Sequence, residues 1–246
     1  MFNLCIDDFA INYNSLDDAY HLINVIQKYF KCSIDWEVQN YLSLTLDCNH
    51  AKKYVDISMP GYITNLFYNF QHKPTSRDQD DLHTWNKIVY GKQIQLATHQ
   101  SSTPKLNSVD NNRVQPTNNN FLYYDCAVDT TIPRALNEIS NCQFALTQYT
   151  LEKFNKLLDY LSMYPNATIR YHASDMIIMT DTDSDYLVLP SSHSCISGHY
   201  YFTNRMSDYS KVTPTTNGPI LTEFNTLKTV ISSSAEAETV GTFKNA

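Results

Sequence analysis

The apolar pattern of the chain changes period once, near Tyr164 to Asn166, and any fold must respect that change. Upstream, Leu151, Phe154, Leu157, Leu158 and Leu161 recur at three- and four-residue steps, which lays them along one face of a helix that ends before Pro165. Downstream come short strand-like runs, Thr168 to His172, Met176 to Thr180, His199 to Thr203 and Pro219 to Glu223, and then a closing helix from about Ser232. This pattern predicts an α+β protein divided at 164–166.

The first part holds both periods. Leu4 to Phe9 is an apolar run ending at two adjacent carboxylates, Asp7 and Asp8, and Ala10 to Tyr13 continues as a second run, so the acids are expected at a hairpin turn. Ser15 and Asp18 resemble a capping box, followed at helical spacing by Ala19, Leu22, Ile23, Ile26 and Phe30. Leu42, Leu44 and Leu46 alternate with polar residues, as do Val55, Ile57 and Met59, which predicts two antiparallel strands. A helix with Ile63, Leu66, Phe67 and Phe70 on one side follows from Pro60. From 73 to 120 the chain is polar, with Pro74, Pro104 and Pro116, and reads as loop; helical patterning returns with Leu136 and Ile139.

Composition bounds the function. With 246 residues, 42% of them hydrophobic, the chain can bury a core. A formal charge of -7 with 18 Lys and Arg argues against a broad nucleic-acid surface, so any such contact must come from local clustering. The six cysteines show no paired spacing and no signal-like segment opens the sequence, so a reduced, intracellular protein, cytoplasmic or nuclear, is expected, in which the sequon at Asn166 is incidental. No apolar run is long enough to cross a bilayer. Only five glycines serve a chain that needs many turns.

Several clusters invite a chemical reading. Adjacent carboxylates at Asp7 and Asp8 repel each other unless cations occupy the site, although a solvated turn is the plainer explanation. Asp181, Asp183 and Asp185 would share one face of a strand; as a calcium loop they fail, because Tyr186 and Ser192 stand where glycine and glutamate are needed. His193, Cys195 and His199 form at most a partial zinc set. Glu236 and Glu238 oppose the positive end of a helix dipole, a sufficient reason for acids there. Tyr123, Tyr124, Tyr200 and Tyr201 could stack on bases, but paired aromatics in strands and helices are more often core.

Taken in order, these pieces resemble the polyprotein of copia-type long-terminal-repeat retrotransposons, where reverse transcriptase joins ribonuclease H. The matching residues are Ile6 to Phe9; His21 to Asn24; Asp35-Trp36 with Tyr41 to Asp47; Ile57 to Ile63; Phe70 to His72; Leu122 to Tyr124 with Ala127 to Asp129; Leu158 to Tyr160; Ile169 to Met176; Asp183 with Tyr186-Leu187; Asn217 to Ile220; and Ala235 to Glu238. Val38 stands where that family usually has glycine, and Asp125-Cys126 replaces what tends to be small and basic.

The resemblance implies a partial reverse transcriptase palm with a primer-grip-like hairpin and the start of the thumb over 1–72, a polar loop over 73–120, helical thumb and connection over 121–165, and an incomplete ribonuclease H-like α/β domain over 166–246. It implies that Asp7 and Asp8 are two of three palm carboxylates and Asp183 and Glu236 two of four ribonuclease H carboxylates, each set holding two magnesium ions. The other acids would lie upstream of Met1 and beyond Ala246, so the expectation is an RNA-directed DNA polymerase and ribonuclease H relative, truncated and inactive as it stands, with Mg2+ and an RNA/DNA hybrid as the family's cofactor and partner. The alternatives are a non-catalytic nucleic-acid-binding or assembly module, or a decayed gene product.

Overall fold

The computed structural model describes residues 2–5, 8–75, 79–82, 103–189, 193–205 and 217–245. It is an α+β protein. A hairpin of β1 (Phe2–Cys5) and β2 (Asp8–Ile11) leads to α1 (Leu16–Gln27). The strands β3 (Asn40–Tyr41), β4 (Leu44–Asn49) and β5 (Tyr54–Ser58) precede α2 (Tyr62–Phe70). Then come α3 (Ser108–Ala127), α4 (Pro133–Ser140) and α5 (Gln148–Met163), and after them β6 (Thr168–His172), β7 (Ile177–Leu189), β8 (His193–Thr203), β9 (Pro219–Thr226) and α6 (Ser234–Asn245).

The periodic segments fold as their spacing dictates. Ile63, Leu66 and Phe70 of α2 meet Phe154, Leu157, Leu158 and Leu161 of α5 in one core, with Ile57 of β5 packed against it. Phe154 is the hinge pin of this core, its ring edge-on to Phe70 at 5.2 Å and to Phe121 at 6.1 Å. Burying one such side chain contributes roughly 2–3 kcal/mol. A capping box between Thr147 and Thr150 starts α5. Ser15, in contrast, caps α1 by position only, with no side-chain bond, and Phe30 lies beyond the helix and exposed.

The loop expected over 73–120 is corrected in its last third, where α3 begins at Ser108, capped by Asn107, whose side chain accepts the Asp110 N–H at 2.8 Å. Its buried face carries Val114, Thr117, Asn118, Phe121, Tyr124 and Asp125, a helical spacing in which three of six residues are polar. Apolar periodicity cannot register such a face. The polar members are satisfied in part: Thr117 Oγ1 donates to the Arg113 carbonyl at 2.8 Å and Asn118 Nδ2 to Ser140 Oγ at 2.9 Å, while Asn118 Oδ1 and Asp125 Oδ1 are buried without a hydrogen-bond partner among the described residues. Residues 76–78 and 83–102 of the expected loop lie outside the described residues.

The expected division at 164–166 also moves. β6 lies beyond it but pairs antiparallel with β5, Ile169 opposite Ile57 and Arg170 opposite Asp56, closing a four-stranded sheet in the order β3-β4-β5-β6. The Arg170 guanidinium grips both oxygens of Asp56 at 2.7 Å and lies 4.0 Å over the Tyr54 ring. Cross-strand pairing of a charge and an aromatic thus overrides the change of period upstream. The change of sheet comes instead after His172, where β7, β8 and β9 form an antiparallel meander with α6 packed across β7. That unit has its own small core of Ile196, Leu227, Ile231 and Ala237.

The glycine shortage is absorbed by strain. Val38, Leu42, Ser43, Lys53, Gln71, Met176 and Leu187 all take a left-handed backbone with φ between 53° and 63°. Leu42 and Ser43 make the tight turn between β3 and β4, a primed hairpin turn built without glycine. Among the described residues no helix is long and apolar enough to cross a membrane.

Candidate functional site

Of the four acids singled out by sequence, Asp8, Asp183 and Glu236 are described. Asp7 lies outside the described residues. Asp8 opens β2 opposite Cys5, half-buried, and its Oδ2 accepts the Leu42 N–H at 2.9 Å. The Leu42 carbonyl in turn accepts the Tyr123 hydroxyl at 2.8 Å, so one carboxylate and one phenol hold the turn from both sides.

Asp183 sits mid-way along β7, exposed, opposite Ser197. Successive strand residues point to opposite faces. Its neighbour Ser184 presses on Gly241 of α6, so Asp183 leaves from the face that α6 does not cover. Asp185 shares that second face, meeting Arg134 of α4 at 3.8 Å. The expectation that Asp181, Asp183 and Asp185 alternate along a strand therefore matches the regular register from Asp181 to Asp185.

Glu236 lies in the first turn of α6 with a local partner. Its Oε2 accepts both the Ser232 N–H, at 2.8 Å, and the Ser232 hydroxyl, at 2.6 Å, while the Glu236 N–H donates to Ser233 Oγ. The Ser232 hydroxyl and N–H hold its carboxyl below the usual range. This is a reciprocal cap around a helix start. Asp183, exposed on β7, and Glu236, bonded to Ser232 at the start of α6, thus have separate local surroundings.

Nor does the partial zinc set find support in its thiol. Cys195 is buried, and burial, reinforced by Asp185, pushes its pKa up to about 12, so the thiolate that a metal would need is strongly disfavoured. Of the tyrosines, Tyr124 is fully buried and stacked on Tyr62 at 5.6 Å, and Tyr201 is buried, whereas Tyr123 stays half-exposed with its hydroxyl on Leu42. Among the described residues no group of three or more His, Cys, Asp or Glu side chains converges into a cation site.

What sequence reading missed is a cleft of about 410 Å³ where the end of α2 meets α3 and α5. His72 Nε2 and Asp159 Oδ1 stand 2.9 Å apart on its wall, and the Thr75 N–H also donates to Asp159 Oδ1. Arg113 donates to the Phe70 carbonyl, lies 4.7 Å over the Phe70 ring and faces Asp110 at 3.7 Å. Lys73 also lines the cleft, so Lys73 and Arg113 face Asp110 and Asp159 across a polar wall. His72 and Asp159 lie 87 residues apart, and although each falls in a short stretch of the family-like pattern, nothing in the sequence joins the two into one site.

No family model, curated protein or solved structure matches the chain.

Proposed function

We infer that the chain is a relative of copia-type reverse transcriptase and ribonuclease H that performs neither reaction as it stands. Kinship is supported by the order of parts: an acid-bearing hairpin, a helix, a tight hairpin, a helical core, then a three-strand meander with a helix laid across it. The left-handed backbone at Val38, where that family usually has glycine, is independent support. The single observation that carries the non-catalytic part is the engagement of Glu236 by Ser232, whose N–H and hydroxyl both donate to one carboxylate oxygen. Two-metal hydrolysis needs carboxylates that share ions about 3.5–4 Å apart. Asp8 is similarly committed to the Leu42 turn.

Primer extension and hybrid cleavage with Mg2+ or Mn2+ test this directly. The expected result is turnover no greater than that of Asp7→Asn, Asp8→Asn and Asp183→Asn controls. Metal-dependent product that disappears in those variants overturns it.

A second reading, backbone contact with nucleic acid by the helical region, draws on the Lys73 and Arg113 wall of the cleft. Filter binding across salt decides it. A steep salt slope, flattened in Lys73→Gln and Arg113→Gln, supports that role, and no binding at low salt removes it.

A further inference from the structure

The least explained surface is at the N-terminal hairpin and α1. Tyr13, Tyr20 and Trp36 come together there from three separate stretches of chain. The Trp36 ring centroid lies 5.0 Å from that of Tyr20, tilted by 54°, and 6.1 Å from that of Tyr13, edge-on at 88°. Core aromatics are covered, but these three remain 43%, 47% and 42% exposed in chain order. Only Ala19 and Ile23 of α1 are buried, so the rings are not needed to seal a core beneath them.

The stretch that carries the rings is acidic on balance. Residues 7–37 contain six carboxylates against Lys28 and Lys31. Asp17 lies one helical turn before Tyr20 on the same face of α1, and Glu37 adjoins Trp36. Asp35 is committed to the backbone N–H groups of Glu37, Gln39 and Asn40, which fixes the Trp36 loop. Aromatic faces attract cations, Trp most strongly, and adjacent carboxylates add to that attraction. A polyanion is repelled by the same surroundings.

The protein already satisfies this chemistry once internally. Arg170 lies over Tyr54 while pairing with Asp56, and other cations stand over Phe70 and Tyr149. Among the described residues none stands over Trp36. The rings and acids near Tyr20 therefore reproduce two parts of the Tyr54 arrangement and leave the cation to come from outside.

We propose that the Tyr13, Tyr20 and Trp36 face docks an extended, arginine- or lysine-rich peptide segment of a partner protein, with its cationic side chains laid on the rings and opposed by Asp17 and Glu37. Nucleic acid is the excluded occupant.

The probe is a fluorescein-labelled oligo-arginine peptide, titrated with the full chain and read by anisotropy. Binding is expected, weakened by salt, and weakened at least tenfold by Tyr20→Leu and several-fold by Asp17→Asn. Tyr20→Phe, which keeps the ring, should bind as the original chain does, and Tyr68→Leu, exposed elsewhere, should change nothing. If circular dichroism finds Tyr20→Leu unfolded, Tyr13→Leu takes its place. Absence of binding, binding indifferent to the ring substitutions, or displacement of the peptide by oligo(dT) competing for the same rings would each overturn the proposal.

Discussion

Asp8 Oδ2 and the Leu42 N–H, thirty-four residues apart in sequence, are 2.9 Å apart in space, and through them β2 is tied to the strained β3–β4 turn. The acid that looks most like half of a metal site thus has a structural occupation. Replacing it separates the two roles. Asp8→Ala leaves the Leu42 N–H without its carboxylate and should cost roughly 1–2 kcal/mol, whereas Asp8→Asn keeps an acceptor and should cost less than half of that. Urea unfolding of the two variants measures the difference. Equal losses would mean that charge, not the hydrogen bond, is what Asp8 supplies.

Val38 carries a β-branched side chain at φ 53°, a conformation costing about 1–2 kcal/mol for a non-glycine residue. Val38→Gly removes that strain but gives the unfolded chain more freedom, an opposing effect of roughly 0.5–1 kcal/mol. The net expectation is a gain of about 0.5–1 kcal/mol in stability. Val55→Gly, within β5, should show the ordinary loss. A Val38→Gly chain that unfolds earlier than the original would show that the side chain is held by contacts worth more than the strain.

The same positions show what could be read in advance. Helices α2, α4 and α5 were legible because their buried residues are apolar and recur at helical steps, as Ile63, Leu66 and Phe70 do. A strand was legible at each of β6 to β9, but β8 begins at His193, six residues before the run that starts at His199, and β7 continues to Leu189. By contrast, α3 was hidden by Thr117, Asn118 and Asp125 on its buried face, and the partner of β6 was hidden because register across 114 residues leaves no local trace. Acids were visible at once, but their partners were not: Ser232 beside Glu236 could be guessed from capping chemistry, Leu42 beneath Asp8 could not.

Asp125 makes stability depend on pH near neutrality. It is 5% exposed, and desolvation, with the nearby charge of Asp129 second, raises its pKa from 3.8 to about 7. A carboxyl whose folded pKa is raised stabilises the fold while protonated; that contribution is complete below about pH 4 and is lost as pH climbs through about 7. At about 1.4 kcal/mol per pH unit, the loss across this window reaches a few kcal/mol. Asp125→Asn has no proton to lose, so its stability should fall less between pH 5 and pH 8 than that of the original chain. Thermal melts at half-unit steps measure this, and parallel pH profiles would count against a buried, protonated Asp125.

The seam between α6 and β7 holds a coupled pair. Ser184 Oγ is buried with no hydrogen-bond partner among the described residues, and it occupies the space that a Cβ on Gly241 would need. Ser184→Ala removes an unsatisfied hydroxyl and should be neutral or stabilise by about 1 kcal/mol. Gly241→Ala alone sets a helix-propensity gain of about 1 kcal/mol against a collision with that hydroxyl. Once Ser184 is alanine, the nearest neighbours of the new methyl are Ile196 at 3.5 Å and the residue-184 Cβ at 3.6 Å, ordinary contact distances. The double variant should therefore be more stable than the original chain by about 1–2 kcal/mol, with Gly241→Ala more favourable in the Ser184→Ala background than alone. Equal effects of Gly241→Ala in both backgrounds would mean that the Ser184 hydroxyl turns aside freely and that this seam is looser than its packing implies.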